Sequence, residues 1–464
     1  MTGKRKRKLA MPDTLIIVAS VVLLVAILSW IIPSGTYDYQ EMNINGRIRN
    51  VAIDGTYHTI DKSEVTTTGF LGFFSVLYRG CVEAADVIFM ILCCCGTFGV
   101  VVKTGAFHAG IGTILKKLKG KEILLVPIIM MIFGLGGSVF GMASEFYGFY
   151  PLIVGLGVAL GYDAMFGFAI IAVGEFVGFM GATLNPYSVG IAQTISGVEL
   201  YSGTGYRAIC FVIFMAISII YVMVYGRKIK KNPGASVVFG EKNIHAFDRD
   251  ELNEYSFTLK DGLVLLDVLV VLVVLMLGLI KWGWDFPQLC GLFLLMSMIA
   301  AAICKWSPNK WCSEFIDSAK TAMWGCILTG IAKAITVVMQ DAQIMDTVIY
   351  GLSNVLKNAP HAVSAQVMLV VQTLINFFIP SATGQASATM PIMAQLADII
   401  GVSRQTAVLA FQFGDGLSNI FWPTADIVII CGLGGISLQK WYKWFTPLFL
   451  ILFVTQAILL GIAT

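Results

Sequence analysis

Four short polar stretches interrupt an otherwise apolar sequence: SVFGMASE at 138–145, GATLNP at 181–186, SATGQAS at 381–387 and SNIFWPT at 418–424. Hydroxyls, amides and glycines dominate them, and Glu145, Glu175, Asp415 and Asp426 fall inside or beside them. Such groups suit the non-covalent holding of a solute. A helix N-terminus offers free amides and partial positive charge to a carboxylate, while unwound carbonyls with nearby acids suit a cation. The candidates for substrate contact are Ser138, Gly141, Ser144, Glu145 and Asn185 in the first half of the chain. In the second half they are Ser381, Thr383, Gly384, Gln385, Ser387, Asp415, Asn419 and Thr424. Glu175, Asp415 and Asp426 are the candidates for a coupling ion. Asp415, Ser418, Asn419 and Trp422 follow the i, i+3, i+4, i+7 pattern and share one helix face, whereas its counterpart carries Glu175, Gly178 and Phe179.

Blander roles compete with these. Hydroxyls and amides also form interhelical hydrogen bonds, and Gly174 with Gly178 makes a small-xxx-small packing face. Lys333, the clearest basic residue within an apolar run, can form a buried pair with one of the acids. Covalent chemistry has less support. No P-loop, G-x-S-x-G or H-E-x-x-H motif occurs, and Asp415 and Asp426 are separated by a proline break, so they are not a ready dyad. His58, His108, His245 and His361 lack ligand spacing, so no metal centre or cofactor is expected. Most of the ten cysteines lie in apolar runs and read as small buried hydrophobes.

Only membrane-spanning elements can position these stretches. The 464 residues are 57% hydrophobic and 13% charged, about half the charged share of a soluble domain. Leu15 to Ile32 can cross roughly 30 Å of hydrocarbon, and Trp30-Ile31-Ile32-Pro33 offers no small-residue cleavage site, so this segment reads as a retained anchor. Basic clusters at 4–8, Lys116 to Lys121, Arg227 to Lys231, Lys305 with Lys310, and Lys440 with Lys443 belong on the cytoplasmic side. Parity among them is satisfied by nine crossings, near 13–33, 84–103, 163–185, 206–226, 260–280, 287–304, 319–340, 404–435 and 441–463. Segments 122–160 and 362–400 then become re-entrant hairpins from opposite faces, with tips at 138–145 and 381–387. The N-terminus lies in the cytoplasm and the C-terminus outside.

Residues 34–69 form an acidic exterior loop whose TYDY, RIRNVAI and TYHTI runs predict short strands. Ala106 to Lys117 and Ile344 to Lys357 predict surface helices before each hairpin. The chain divides into an N-terminal half (1–226), a cytoplasmic linker (227–259) and a C-terminal half (260–464).

The halves match in the order of their features. Ser138, Gly141, Ala143 and Ser144 correspond to Ser381, Gly384, Ala386 and Ser387; Gly161, Gly174 and Glu175 to Gly401, Gly414 and Asp415; Pro186 and Gly197 to Pro423 and Gly434. An odd number of crossings between the copies inverts the second. Inverted repeats with discontinuous helices are the pattern of secondary transporters, whose site forms near the midplane. Irregular backbone survives there only when buried in protein or lining a water-filled cavity. Two opposed tips at that depth would block the continuous pore of a channel.

Five runs carry a family resemblance: IIPSGTYD (31–38), GMASEFYGFYPLI (141–153), GYDA (161–164), TLNPYSVGIA (183–192) and SATGQASATMPIMAQLADIIGVSRQTAVLAFQFGDGLSN (381–419). Over nearly its whole length the chain resembles the YfcC-type branch of the C4-dicarboxylate anaerobic carrier family, in the ion transporter superfamily. The resemblance implies an all-α, elevator-type carrier of the bacterial inner membrane, a homodimer driven by an ion gradient or by exchange. It departs from the pattern at Ser144-Glu145, where relatives place consecutive acids. The family name points to dicarboxylates, the branch to basic amino acids. Four acids around the breaks repel a dicarboxylate at low dielectric unless Na⁺ or H⁺ accompanies it. Charge therefore favours amino acid exchange, with organic-acid transport as the alternative.

Overall fold

Long uncharged runs leave the backbone no hydrogen-bond partner in hydrocarbon except itself, so they become helices. The computed structural model describes residues 13–44, 47–118, 122–241, 245, 257–357 and 363–464, and the chain is mostly helical. The first half contains α1 (Thr14–Ile31), α2 (Phe70–Glu83), α3 (Ala85–Lys103), α4 (Ala106–Leu118), α5 (Leu125–Leu135), α6 (Phe149–Ala159), α7 (Ala164–Met180), α8 (Val189–Ile195) and α9 (Thr204–Lys231). The second contains α10 (Leu259–Lys281), α11 (Phe286–Ile303), α12 (Pro308–Lys320), α13 (Met323–Asp341), α14 (Met345–Lys357), α15 (Ser364–Phe378), α16 (Ala382–Ile399), α17 (Arg404–Ser418), α18 (Asp426–Gly434) and α19 (Leu438–Ile462). The basic clusters at 4–8 and Lys119 to Lys121, residue 362 of the second hairpin, His361 and most of 242–256 lie outside the described residues.

Among the described residues, seven helices are long and apolar enough to cross a membrane: α1, α3, α9, α10, α11, α13 and α19. They coincide with seven of the nine predicted crossings. The other two are broken. The crossing predicted at 163–185 ends early, as α7, and the chain continues through an irregular stretch containing Pro186 into α8; residues 404–435 resolve into α17, a stretch containing Pro423, and α18.

Both predicted hairpins double back. Met130 lies against Gly174 and Gly134 against Gly178, so α5 runs parallel to α7; Gly157 against Gly167, with the tight turn between them, makes α6 antiparallel to it. The chain therefore reverses between α5 and α6, through a π-turn at Gly136–Phe140 and a left-handed Gly141 with φ of 68°. In the second half, Gln372 meets Gly414 while Asn376 bonds Asp415 and Asn419, so α15 runs parallel to α17, and the turn at 400–403 reverses α16. The two broken helices run antiparallel to each other: Phe168 meets Gly434, Met180 meets Gly416, and Arg404 donates to the Ser196 carbonyl at 2.9 Å. Each hairpin leads into its broken helix through a positive-φ glycine, Gly161 (81°) or Gly401 (72°).

Three boundaries differ from the sequence reading. The second tip is shorter than 381–387, because the Ser381 hydroxyl caps the Gly384 amide at 3.3 Å and starts α16 at once. The basic residues Arg227 to Lys231, read as the start of the linker, belong to the end of α9, where cations complement the helix dipole. The TYDY run is not one strand but straddles the gap between β1 (Ser34–Thr36) and β2 (Tyr39–Ile44). Strands β3 (Arg47–Ala52) and β4 (His58–Ile60) follow the other two runs; β1 pairs with β4 and β2 with β3, both antiparallel.

One carboxylate fastens this cap to the helices. Buried Asp346 at the start of α14 accepts from the Tyr37 amide (3.0 Å), the Thr36 hydroxyl (3.2 Å) and the Tyr39 phenol (2.8 Å). Asp346→Ala strands those donors and is expected to cost about 1–3 kcal/mol, read as a lower thermal midpoint and faster proteolysis within 34–69. Burial, then the neighbouring carboxylate, raises the Tyr39 phenol above its ordinary value of 10. A pKa raised on folding adds stability below the unfolded value and loses it above, so the cap should hold through neutral pH and loosen only in alkali.

Candidate substrate site

The second tip rests on a network of buried amides. Asn376, near the end of α15, directs its Nδ2 at Gln385 Oε1 (3.2 Å), Asp415 Oδ1 (2.9 Å) and Asn419 Oδ1 (3.0 Å). Gln385 Nε2 donates to Gln372 Oε1 at 2.7 Å, and Gln372 Nε2 donates to Thr389 at 3.1 Å. Thr383 donates to the Tyr187 carbonyl at 2.9 Å and Ser387 to the Thr383 carbonyl at 2.9 Å. The shared face of α17 is split by its end at Ser418: Asp415 and Asn419 face Asn376, while Trp422 in the break donates to the Thr373 carbonyl at 2.6 Å.

The first tip is closed by Ser138, whose hydroxyl donates to the Gly181 carbonyl (3.0 Å) and meets the Thr183 hydroxyl (3.1 Å). Asn185 sits under Gly141 and accepts from the Tyr187 amide at 2.9 Å. Glu145 caps its own turn, accepting from the Ala143 amide at 3.0 Å. Two tyrosines tie acids across the breaks: Tyr147 donates to Asp426 and Tyr150 to Glu175, each at 2.8 Å.

Several fully enclosed atoms have no partner among the described residues: Glu175 Oε1, Asp415 Oδ2, Asn376 Oδ1, Gln412 Oε1 and Thr424 Oγ1. Such groups are costly unless something binds them. One oxygen each of Asp415, Asn419 and Gln385 converges on the Asn376 Nδ2, which leaves Asp415 Oδ2 and Asn376 Oδ1 as the unpartnered oxygens of this cluster.

Both tips and the second break meet at one cavity of about 560 Å³. Of the predicted contacts, Ser144, Ser381, Gly384, Thr424 and Asp426 line it. Ser138, Gly141, Asn185, Thr383, Gln385, Ser387, Asp415 and Asn419 do not; they lie behind the tips and hold them in place. Glu145 and Glu175 also stay off the cavity wall. The opposite wall comes from Glu83 at the end of α2 and from Thr329, Lys333, Thr336 and Gln340 on α13. Sequence reasoning missed Glu83, Tyr147, Asn376 and Gln412. An amide within an apolar run such as LINFF is the signal that could have flagged Asn376.

Broken helices and hairpin turns beside a largely apolar cavity that carries a few charged and hydroxyl groups, with helices long enough to cross a membrane, are the architecture of a membrane transporter. The family model of the C4-dicarboxylate anaerobic carrier matches residues 11–464. The chain is similar to the Escherichia coli (strain K12) protein named "Putative basic amino acid antiporter YfcC", at 32% identity over 98% of this chain and 97% of that one. It is similar to an uncharacterised Haemophilus influenzae protein at 28% identity, covering 99% and 98%. Among solved structures it is similar to the YdaH transporter of Alcanivorax borkumensis (TM-score 0.44, 15% identity, 97% and 98% covered) and to MtrF of Neisseria gonorrhoeae (0.45, 16%, 98% and 95%). The chain belongs to the C4-dicarboxylate anaerobic carrier family, a family of carriers and not of enzymes.

Proposed function

We propose that this chain is a secondary active transporter that exchanges amino acids, those of the basic arginine and ornithine type first among them. The observation that carries this reading is the charge of the cavity lining, where two acids, Glu83 and Asp426, stand with one lysine, Lys333. A solute with one carboxylate and a cationic side chain complements that set, whereas a dicarboxylate brings two negative charges to a single cation at low dielectric. The name of the Escherichia coli relative agrees with it. The family description favours a second reading, a C4-dicarboxylate or other organic acid accompanied by Na⁺ or H⁺. The oxygens around Asp415 are the place for such an ion, with Glu175 and Asp426 as further candidates.

The same proposal includes nine crossings, inverted repeats and hairpins from opposite faces; the antiparallel course of the two broken helices supports it. It places the chain in the bacterial inner membrane as a homodimer of elevator type, N-terminus in the cytoplasm and C-terminus outside. Counterflow in proteoliposomes tests the substrate, with arginine, ornithine, citrulline, succinate and a short-chain fatty acid, each with and without Na⁺ and a pH gradient. Internal ornithine is expected to drive uptake of labelled arginine while internal succinate does not. Counterflow of succinate without that of arginine would replace the first reading by the second.

A further inference from the structure

Lys333 sits within α13, one of the helices of membrane-crossing length. A charged group there is expensive and needs a partner. The blander role, a buried pair with an acid, is not met: among the described residues Lys333 has neither a hydrogen bond nor an ion pair. It lines the 560 Å³ cavity instead.

The start of α16 faces that cavity with Ser381 and Gly384. The exposed Ser381 hydroxyl accepts from the Gly384 amide and keeps its own proton to donate, and the two amides before Gly384 have no intrahelical acceptor. Thr424 also borders the cavity, but its hydroxyl oxygen is fully enclosed and takes no part. An ammonium, a hydroxyl and a helix N-terminus together make charge-assisted hydrogen bonds to one kind of group, a carboxylate. We propose that Lys333, with the Ser381 hydroxyl and the first turn of α16, anchors the carboxylate of the transported solute. Asp426 and Glu83 are then left for the solute's cationic end. This deepens the reading of the cavity as the substrate site and does not depend on which solute occupies it.

The test compares arginine with agmatine, which is arginine without its carboxylate, and adds succinate, in counterflow and in ligand-induced thermal stabilisation. Wild-type, Lys333→Gln and Lys333→Arg proteins are compared once shown monodisperse. Wild type is expected to prefer arginine over agmatine by about tenfold or more, the usual weight of one charged contact. Lys333→Gln should bring that preference close to one and raise the arginine KM by a similar factor, while Lys333→Arg keeps most of it. An unchanged arginine-to-agmatine ratio in folded Lys333→Gln would overturn the proposal. If wild type carries succinate and not arginine, the basic amino acid reading fails alone: a succinate KM raised about tenfold in Lys333→Gln still supports the anchor, and an unchanged one overturns it. A wild type that neither moves nor binds any of the three overturns both.

Discussion

Asp415→Asn is expected to lower uptake at least about 100-fold, a loss of roughly 2.7 kcal/mol, in a protein that folds as well as the parent. The side chain is fully buried on α17, with Oδ1 accepting from Asn376 and Oδ2 facing no partner. Asparagine preserves the shape and the accepting oxygen while removing the charge. A carboxylate kept only for architecture would be no loss there, since burying a neutral amide is cheaper than burying an ion. A carboxylate kept to bind a cation loses its function and leaves the fold intact. Proteoliposome uptake beside the thermal midpoint in detergent separates the two. Uptake at the parental rate would remove Asp415 from the binding machinery.

Gly178→Ala is expected to destabilise the protein by about 3 kcal/mol, whereas Gly174→Ala costs about a third of that. A Cβ on Gly178 would stand 2.1 Å from the Gly134 carbonyl oxygen and 2.5 Å from its Cα, all backbone atoms with no rotamer to yield. On Gly174 the nearest atom is Met130 Cα at 3.0 Å, a gap that a few tenths of an ångström would relieve. Thermal unfolding in detergent, with the yield of monodisperse protein, checks the order. Equal midpoints for the two variants would mean that α5 and α7 are not locked at Gly134. The small-xxx-small face thus does packing work on the first hairpin.

Much of this architecture was legible because membrane helices announce themselves by length and charge. The seven long helices, the helices α4 and α14 and the RIRNVAI strand fall where apolar runs, amphipathic runs and alternation put them. The two broken helices were legible through Pro186 and Pro423, and the hairpins through the parity of the basic clusters. The second tip is shorter than its sequence suggests because its glycine and hydroxyls look like loop, whereas Ser381 uses its hydroxyl to begin a helix. The site was harder. Spacing relates residues on one element, so it linked Asp415 to Asn419 but not to Asn376, which reaches them from another helix. Nor could it bring Glu83 and Lys333 to face Ser381 and Asp426, since that wall depends on how α2 and α13 pack. The tyrosines over Glu175 and Asp426 were hidden for the same reason: an aromatic ring in an apolar run looks like filler until its hydroxyl finds an acid.

The glycine contacts have a mechanical consequence. Gly134 against Gly178 and Gly416 against Met180 weld the hairpins and broken helices into one plate, while Gly80 against the Gly330 carbonyl welds α2 to α13 in another. Surfaces joined backbone to backbone have no side chains to act as bearings, so neither plate shears internally at little cost. The two plates also approach backbone to backbone, at Gly325 of α13 and Gly432 of α18, so the hollow between Lys333 and Asp426 lies beside a close contact, and a solute lodged in it touches both plates at once.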